Sequence, residues 1–463
     1  MEAAALSSAE PRPLWWDAVD VGPKRAALAQ DIDVDVLIVG AGYTGLWTAF
    51  FLQESDPALS IAIVERDHVG FGASGRNGGF CYDGFAAGPE RVEAMSDLEV
   101  ARRWSAVLRD SVGVVGDVTK NHGIDCDFML SGTIEFCSNG GQLERAEQEV
   151  LSARRYGWTE EDLRMLGIDE SLEIARAANV RGGMWSRLSA PIHPAKLVHG
   201  LASVVESRGT TIYERTPALD IGPGQVALAG GRASARVVVR ATEGYTSELP
   251  GHKRRLAPLY SLMIATEPLS EGQWNEIGLA SRESFGDMRH LVIYGQRTAD
   301  GRIAFGGRGA PYDFGSKVRR NADFATAAFE PVHNALLEVF PQLADVAITH
   351  RWGGVLGVSR QWQPTAGFDR ETGQAWAGGY VGSGVTATNL AGRTLAALIT
   401  GDDVDGLTRF PWVNHGVRNW EPEPLRWLGI NTALRVMRRA DTVETRTDRA
   451  AKSADWLWRL VKY

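Results

Sequence analysis

One stretch, residues 35 to 65, restricts what this chain can fold into more than any other. Val36-Leu-Ile-Val39 is a continuous apolar run, partly β-branched, as expected of a parallel strand covered on both faces. Gly40, Gly42 and Gly45 follow in the spacing G-x-G-x-x-G, with Ala49 four residues beyond. Gly40 permits a tight turn, Gly42 lets backbone approach a pyrophosphate, and Gly45 with Ala49 lets the next helix lie close on the sheet. Tyr43 and Thr44 open that helix, whose amides and dipole stabilise an anion. A second strand, Ile61-Ala-Ile-Val64, ends in Glu65, where a carboxylate can accept hydrogen bonds from a ribose diol and would repel the 2′-phosphate of NADP. Arg66 comes next. In a chain with 52 glycines a lone glycine motif could be an ordinary turn. Strand, glycines, helix, second strand and terminal acid together predict dinucleotide binding.

The 463 residues exceed one ordinary core, so two domains are expected. A net charge of −8 gives no general attraction for nucleic acid, and an anionic substrate would need a local arginine. Cys81, Cys126 and Cys137 show no metal-ligand spacing; they read as reduced core thiols of a cytoplasmic protein, and no metal site is expected. Met1 to Glu10 lacks the pattern of a signal peptide, and no window approaches a membrane span.

After Glu65 comes a loop dense in small residues, Gly72-Ala-Ser-Gly-Arg-Asn-Gly-Gly79. Its backbone can approach a planar ligand, with Ser74, Arg76 and Asn77 as side-chain donors. Together with the first glycine unit and Glu65, this loop resembles the D-amino-acid oxidase/glycine oxidase superfamily of FAD-dependent amine oxidoreductases. Within it the chain most resembles the branch of gamma-glutamylputrescine oxidase and the aminophosphonate oxidoreductases, from about residue 33 to about 401. The resemblance implies an α/β fold: a Rossmann-type FAD-binding domain (33–90, 190–250 and 350–410) with a mixed-sheet α+β substrate domain (91–189 and 251–349). An N-terminal arm (1–32) and a C-terminal helical appendage (411–463) would flank them.

Further along, residues 90–125 have helical spacing, with Ala94, Leu98, Ala101, Trp104, Val107 and Leu108 as the expected buried stripe. Residues 143–178 also read as helical. His193 precedes a helix expected from about Ala195, with Pro194 suited to its start; a turn histidine is more often structural than catalytic. The resemblance implies that Ala218 meets the adenine and that Thr242 lies near the cofactor. Gly378-Gly-Tyr-Val-Gly-Ser-Gly-Val-Thr386 is a second glycine loop opening a helix. In the resembling family this helix points at the pyrimidine end of the flavin, which implies contacts from Gly382, Gly384, Val385 and Thr386. With Gly78 and Gly79 these complete the expected cofactor set.

Tyr294 and Arg308, around the Asp300-Gly301 turn, are the leading substrate contacts, with Ser383 a third; packing on a sheet face and a solvated loop charge are the alternatives. Trp352 is a candidate wall. The expected chemistry is oxidation of a carbon–nitrogen bond of a small amine or amino acid. The flavin would be held without a covalent bond, because no histidine or cysteine stands where some relatives attach it. Arg302-Ile-Ala-Phe305 has no lysine where sarcosine-oxidase-like relatives use one, so oxygen and another electron acceptor both remain open. The alternatives are an NAD-dependent dehydrogenase, which leaves the Gly72–Gly79 loop unexplained, and a flavin-containing scaffold. Trp412, Trp420, Trp427, Trp456 and Trp458 in the tail suggest a packed helical appendage or a contact between copies of the chain.

Overall fold

The computed structural model describes residues 6–320 and 324–454. Two eight-stranded sheets dominate it. In the first, Ile32–Val39 lies in the middle, parallel to Gly231–Arg240 on one side and to Ile61–Val64 on the other. Thr211–Tyr213 and the hairpin partners Gln374–Gly378 and Thr365–Asp369 complete the main path. The continuous apolar run is explained by its two neighbourhoods. Val36 and Ile38 enter a core built with the helices Tyr43–Ser55, Pro194–Ser207 and Gly384–Thr400, while Leu37 and Val39 enter a second core with Leu28, Val226 and Leu228.

The second sheet has the order Ile348–Val358, Ala257–Thr266, Ile303–Arg308, Ile293–Arg297, Ser284–Asp287, Thr133–Cys137, Gly182–Ser186, Leu163–Leu166. Alternation along Ala257–Thr266 separates its faces: Tyr260, Leu262 and Ile264 pack with the helix Glu330–Val339, whereas Met263 and Ala265 pack with Trp15 of the N-terminal arm. That inner face is turned toward the first sheet's glycine loops.

Several elements differ from expectation. The predicted helix at 90–125 is two helices, Pro89–Met95 and Leu98–Asn121, divided where Asp97 caps the second by accepting from the Val100 amide. Ala94 is exposed, whereas Ala101, Trp104 and Leu108 are buried in the core of the first sheet. The helical reading of 143–178 is broken by the strand Leu163–Leu166, because Gly157 at φ 89° ends the helix Gly140–Arg155. The second sheet also takes Ile348–Val358, so it extends past 349.

The C-terminal helix Leu425–Thr447 is held against its own chain. Glu444 accepts from Arg145 Nη1 and Nη2 at 2.8 and 2.6 Å and meets His290 Nε2 at 3.0 Å, while Asp441 accepts from the His290 and Leu291 amides. Trp456 and Trp458 lie outside the described residues. No described helix is long and apolar enough to cross a membrane. Cys81, Cys126 and Cys137 are buried and unbridged, and burial pushes each thiol up to about 12.

Candidate functional site

The glycine turn after Ile32–Val39 is built as its spacing requires. Gly40 has φ +113°, and a Cβ there would lie 2.5 Å from the Ala241 carbonyl oxygen. A Cβ on Gly45 would lie 2.0 Å from the Gly40 oxygen, so this glycine serves helix-on-strand packing and does not line a cavity. Glu65 has a second task beyond facing a diol: its carboxylate accepts from the Ala41 amide at 2.9 Å and the Asp67 amide at 3.0 Å, pinning the turn to the end of the second strand. Burial raises its pKa.

These groups open onto a cavity of about 320 Å³. Gly40, Gly42, Tyr43, Thr44, Glu65 and Arg66 form one side of it. Gly72, Ala73, Ser74 and Asn77 form the next, followed by Ala218 and Thr242, then Gly382, Gly384 and Val385. Ser74 Oγ accepts from the Tyr43 amide at 2.9 Å, while the N-cap residue Gly42 brings no side chain of its own to the helix that Tyr43 opens. The cavity is thus long, faced by two glycine loops that each start a helix, and acidic where a ribose is expected. A flavin dinucleotide fits that donor set: helix N-terminal amides for phosphates, Glu65 for a diol, and backbone at Gly72 and Gly382 for a flat ring.

Other expected cofactor residues stand elsewhere. Arg76 does not line this cavity; its guanidinium lies over the rings of Trp16 and Phe71 at 4.6 and 4.9 Å, and its Nε donates to the Phe71 oxygen at 2.8 Å. Gly78 lines only the second cavity described below. Gly79 serves packing at φ +75°, with Gln296 Nε2 and the Ile192 oxygen where a Cβ would sit. Thr386 is buried, its hydroxyl 3.4 Å from Cys81 Sγ.

A second cavity, about 140 Å³, meets the first: Ala73, Asn77, Leu356, Gly382 and Val385 line both. It carries Tyr294 and Arg308, which the sequence singled out, and also Tyr82, Glu135, Ser261 and Met263. Ser261 pairs with Arg308 in the antiparallel register, so both project from one sheet face. Tyr294 Oη lies 2.7 Å from Ser261 Oγ, and Tyr82 Oη 2.7 Å from Ser383 Oγ. Ser383 therefore orients Tyr82 and does not itself line the cavity. Arg308 Nη2 donates to the Val381 oxygen at 2.8 Å, which aims the guanidinium at the second glycine loop. Burial pushes the Tyr82 and Tyr294 phenols above their ordinary range, so both stay protonated and serve as hydrogen-bonding groups. Among the described residues lining this cavity there is no lysine.

Three neighbours escaped the sequence reading. Glu243, at φ 38°, accepts from the Gly357 amide at 3.1 Å and the Gly379 amide at 2.8 Å, tying the second glycine loop to the second sheet; burial pushes its carboxyl up to about 7. Tyr82 follows the Gly72–Gly79 loop on the strand Phe80–Tyr82, just beyond where the motif stops. Glu135 could have been noticed as a charge inside an otherwise apolar strand. His193 caps the helix Pro194–Ser207 by accepting from the Lys196 amide at 3.2 Å, the structural role. Trp352 is buried, its Nε1 donating to the Arg76 oxygen at 2.8 Å.

Comparison with known proteins agrees with this geometry. The family model described as FAD dependent oxidoreductase matches residues 35–398. Gamma-glutamylputrescine oxidoreductase of Escherichia coli (strain K12) is 31% identical over 383 residues, covering 81% of this chain and 85% of that one. A probable oxidoreductase OrdL of Rhizobium meliloti is 31% identical over 406 residues, 84% of this chain and 89% of that protein. Among solved structures, glycine oxidase from Geobacillus kaustophilus superposes with TM-score 0.69 at 20% identity, over 83% of this chain and 99% of that one.

Proposed function

The chain belongs to the FAD dependent oxidoreductases, and from that premise we propose that it oxidises the carbon–nitrogen bond of a small amine bearing an anionic group. The observation that carries this reading is the junction of the two cavities: the one with Arg308, Tyr294 and Tyr82 opens into the one with the dinucleotide cradle at Asn77, Gly382 and Val385. The amine in the name of the Escherichia coli relative supports it.

FAD, when bound, supplies a two-electron acceptor for a hydride equivalent from the carbon that bears the amine. The chain's own residues bind and orient. Arg308 offers a fixed cation to the substrate's anionic group, and the serine-held hydroxyls of Tyr294 and Tyr82 offer hydrogen bonds beside it. Phe80, Met263, Ile293, Leu356 and Val385 supply apolar wall that excludes water while the carbon reacts. The carbon loses a hydride, the nitrogen lone pair forms the C=N bond, and water then hydrolyses the imine to a carbonyl compound and an amine. We read the cofactor as non-covalently held. The lysine-free strand Ile303–Arg308 supports keeping an acceptor other than oxygen as the alternative to an oxidase.

The test is anaerobic mixing of the flavin-loaded protein with a panel of amines and amino acids while following flavin absorbance. Bleaching by amines with an anionic group is expected; bleaching by none, or equally by neutral amines, overturns the reading. Readmitting air then distinguishes oxygen from another acceptor.

A further inference from the structure

The second cavity contains a carboxylate that the reaction above leaves unused. Glu135 lines it from inside Thr133–Cys137, whose other four residues are buried. Parallel pairing sets Glu135 opposite Gly286, and Gly286 stands opposite Tyr294 on the next strand. A Cβ on Gly286 would lie 2.4 Å from Glu135 Oε2 and 2.9 Å from Oε1, so the carboxylate fills the space over that glycine. It therefore lies one strand spacing, ~4.8 Å, from the strand that carries Tyr294. The Tyr294 ring in turn covers Gly78, where a Cβ would lie 2.4 Å from its Cε2, and Gly78 adjoins Asn77, which lines both cavities. One tyrosine thus stands between this carboxylate and the cofactor cradle.

Among the described residues this carboxylate has no hydrogen-bond donor and no paired cation. The charged groups it feels are Asp287 on the adjacent strand, itself paired with Arg289 at 2.6 Å, and Glu149 on the helix Gly140–Arg155, which is exposed. Cys137 on its own strand and the Tyr82 phenol feel its charge, and Tyr82 also feels Asp83 and Arg308. Burial, reinforced by Asp287 and Glu149, raises the Glu135 pKa well above the usual range. An ammonium entering the same cavity meets the opposite pressure, because burial favours its neutral form. Moving one proton from that ammonium to the carboxylate removes two buried charges at once. The oxidation needs that transfer: an ammonium has no lone pair with which to form C=N.

Building on the amine-oxidation reading, we propose that Glu135 is the base that takes the proton from the substrate ammonium. The N–H bond breaks, its electron pair stays on nitrogen, and the proton forms an O–H bond on Glu135. The C–H bond then breaks, its electron pair leaves as the hydride equivalent, and the nitrogen lone pair closes the C=N bond of a protonated imine. Glu135 gives its proton to the exposed Glu149 for release to water and is ready for the next substrate.

The pH dependence of flavin bleaching tests this. Flavin-loaded wild-type protein and Glu135→Gln are mixed anaerobically with glycine, 4-aminobutanoate or 2-aminoethylphosphonate from about pH 7 to about pH 10, and flavin absorbance reports both binding and reduction. Without the carboxylate only the neutral amine reacts, and an ammonium with a pKa of ~10 supplies about 1% of it near pH 8. Glu135→Gln should therefore bleach roughly 100-fold more slowly than the wild type near neutral pH and recover about tenfold per pH unit, while the wild-type rate changes far less. Parallel pH profiles, or a loss that alkali does not recover, overturn the assignment and leave amine oxidation standing. Unchanged flavin content and melting temperature in Glu135→Gln exclude a folding defect. If the ligands shift the wild-type flavin spectrum without bleaching it, amine oxidation falls, and the same contrast read in binding affinity decides whether Glu135 accepts the proton. A wild-type flavin that neither shifts nor bleaches overturns both.

Discussion

Arg308 lines the second cavity together with Arg76, and its guanidinium is aimed by the Val381 carbonyl, which is why we propose it as the group that receives a substrate anion. Arg308→Ala should raise KM for amines with an anionic group by about 10- to 100-fold, in line with a lost charge-assisted pair, and change KM for neutral amines far less. Steady-state kinetics on a matched pair checks this; equal effects on both would refute the role. His193 carries a different prediction. It is 8% exposed, and burial holds its imidazole down to about 4 against an ordinary 6.5. A base whose folded pKa is depressed contributes stability that is fully present above pH 6.5 and is lost as pH falls through about 4. The contribution is up to about 3 kcal/mol. His193→Asn keeps a cap for the Lys196 amide and removes the titration, so denaturant unfolding should show a shallower loss of stability between pH 6.5 and 4 in the variant than in the wild type.

The Gly72–Gly79 loop is secured by elements that are distant in sequence. Trp15 Nε1 donates to the Asn77 oxygen at 2.8 Å, Trp352 Nε1 donates to the Arg76 oxygen, and the two indoles meet edge-on at 6.1 Å. The N-terminal arm therefore braces the Gly72–Gly79 loop. Trp15→Phe removes one donor worth about 1 kcal/mol, so FAD affinity should fall by roughly fivefold with secondary structure intact, as measured by titrating the flavin-free protein. An unchanged affinity would show that the arm does not hold the loop. Gly45 makes a sharper case. A methyl group there would meet backbone at 2.0 Å, so Gly45→Ala must push the helix Tyr43–Ser55 off the strand, and flavin content on purification should fall to a small fraction of wild type.

At the scale of the whole molecule, the C-terminal helix closes over the substrate-side sheet through Glu444, which is 1% exposed and engages both Arg145 and His290. These partners hold its carboxyl down to about 2 from 4.5. A depressed acid contributes stability present above pH 4.5 and lost as pH falls through about 2. Glu444→Ala, which leaves the Arg145 guanidinium facing a void, should lower stability by about 3–5 kcal/mol near pH 7. The gap between variant and wild type should close progressively between pH 4.5 and 2, which denaturant unfolding across that range would check. The same contacts explain why the tryptophan-rich tail reads ambiguously as sequence: Trp420 is buried against Val358 and Arg254 of its own chain.

The parts of the fold that are legible in the sequence are those whose signal is local. An apolar run, glycines at fixed spacing and a terminal acid specify a strand, a turn and a helix among near neighbours, and the structure places Gly40, Gly42, Glu65, Ser74 and Gly384 around one cavity. A helix start such as Pro194 is equally local. What residue order does not convey is pairing across long separations. Arg76 reads as a ligand donor in its loop, but Trp16 and Phe71 enclose it. Ser383 reads as a substrate contact, but Tyr82 comes within 2.7 Å and takes its hydroxyl. Glu135 joins the site only because Gly286, 151 residues later in the chain, leaves room for its carboxylate. Cavity walls are assembled by sheet register between strands far apart in sequence, and that register is settled by the packing of both sheets together.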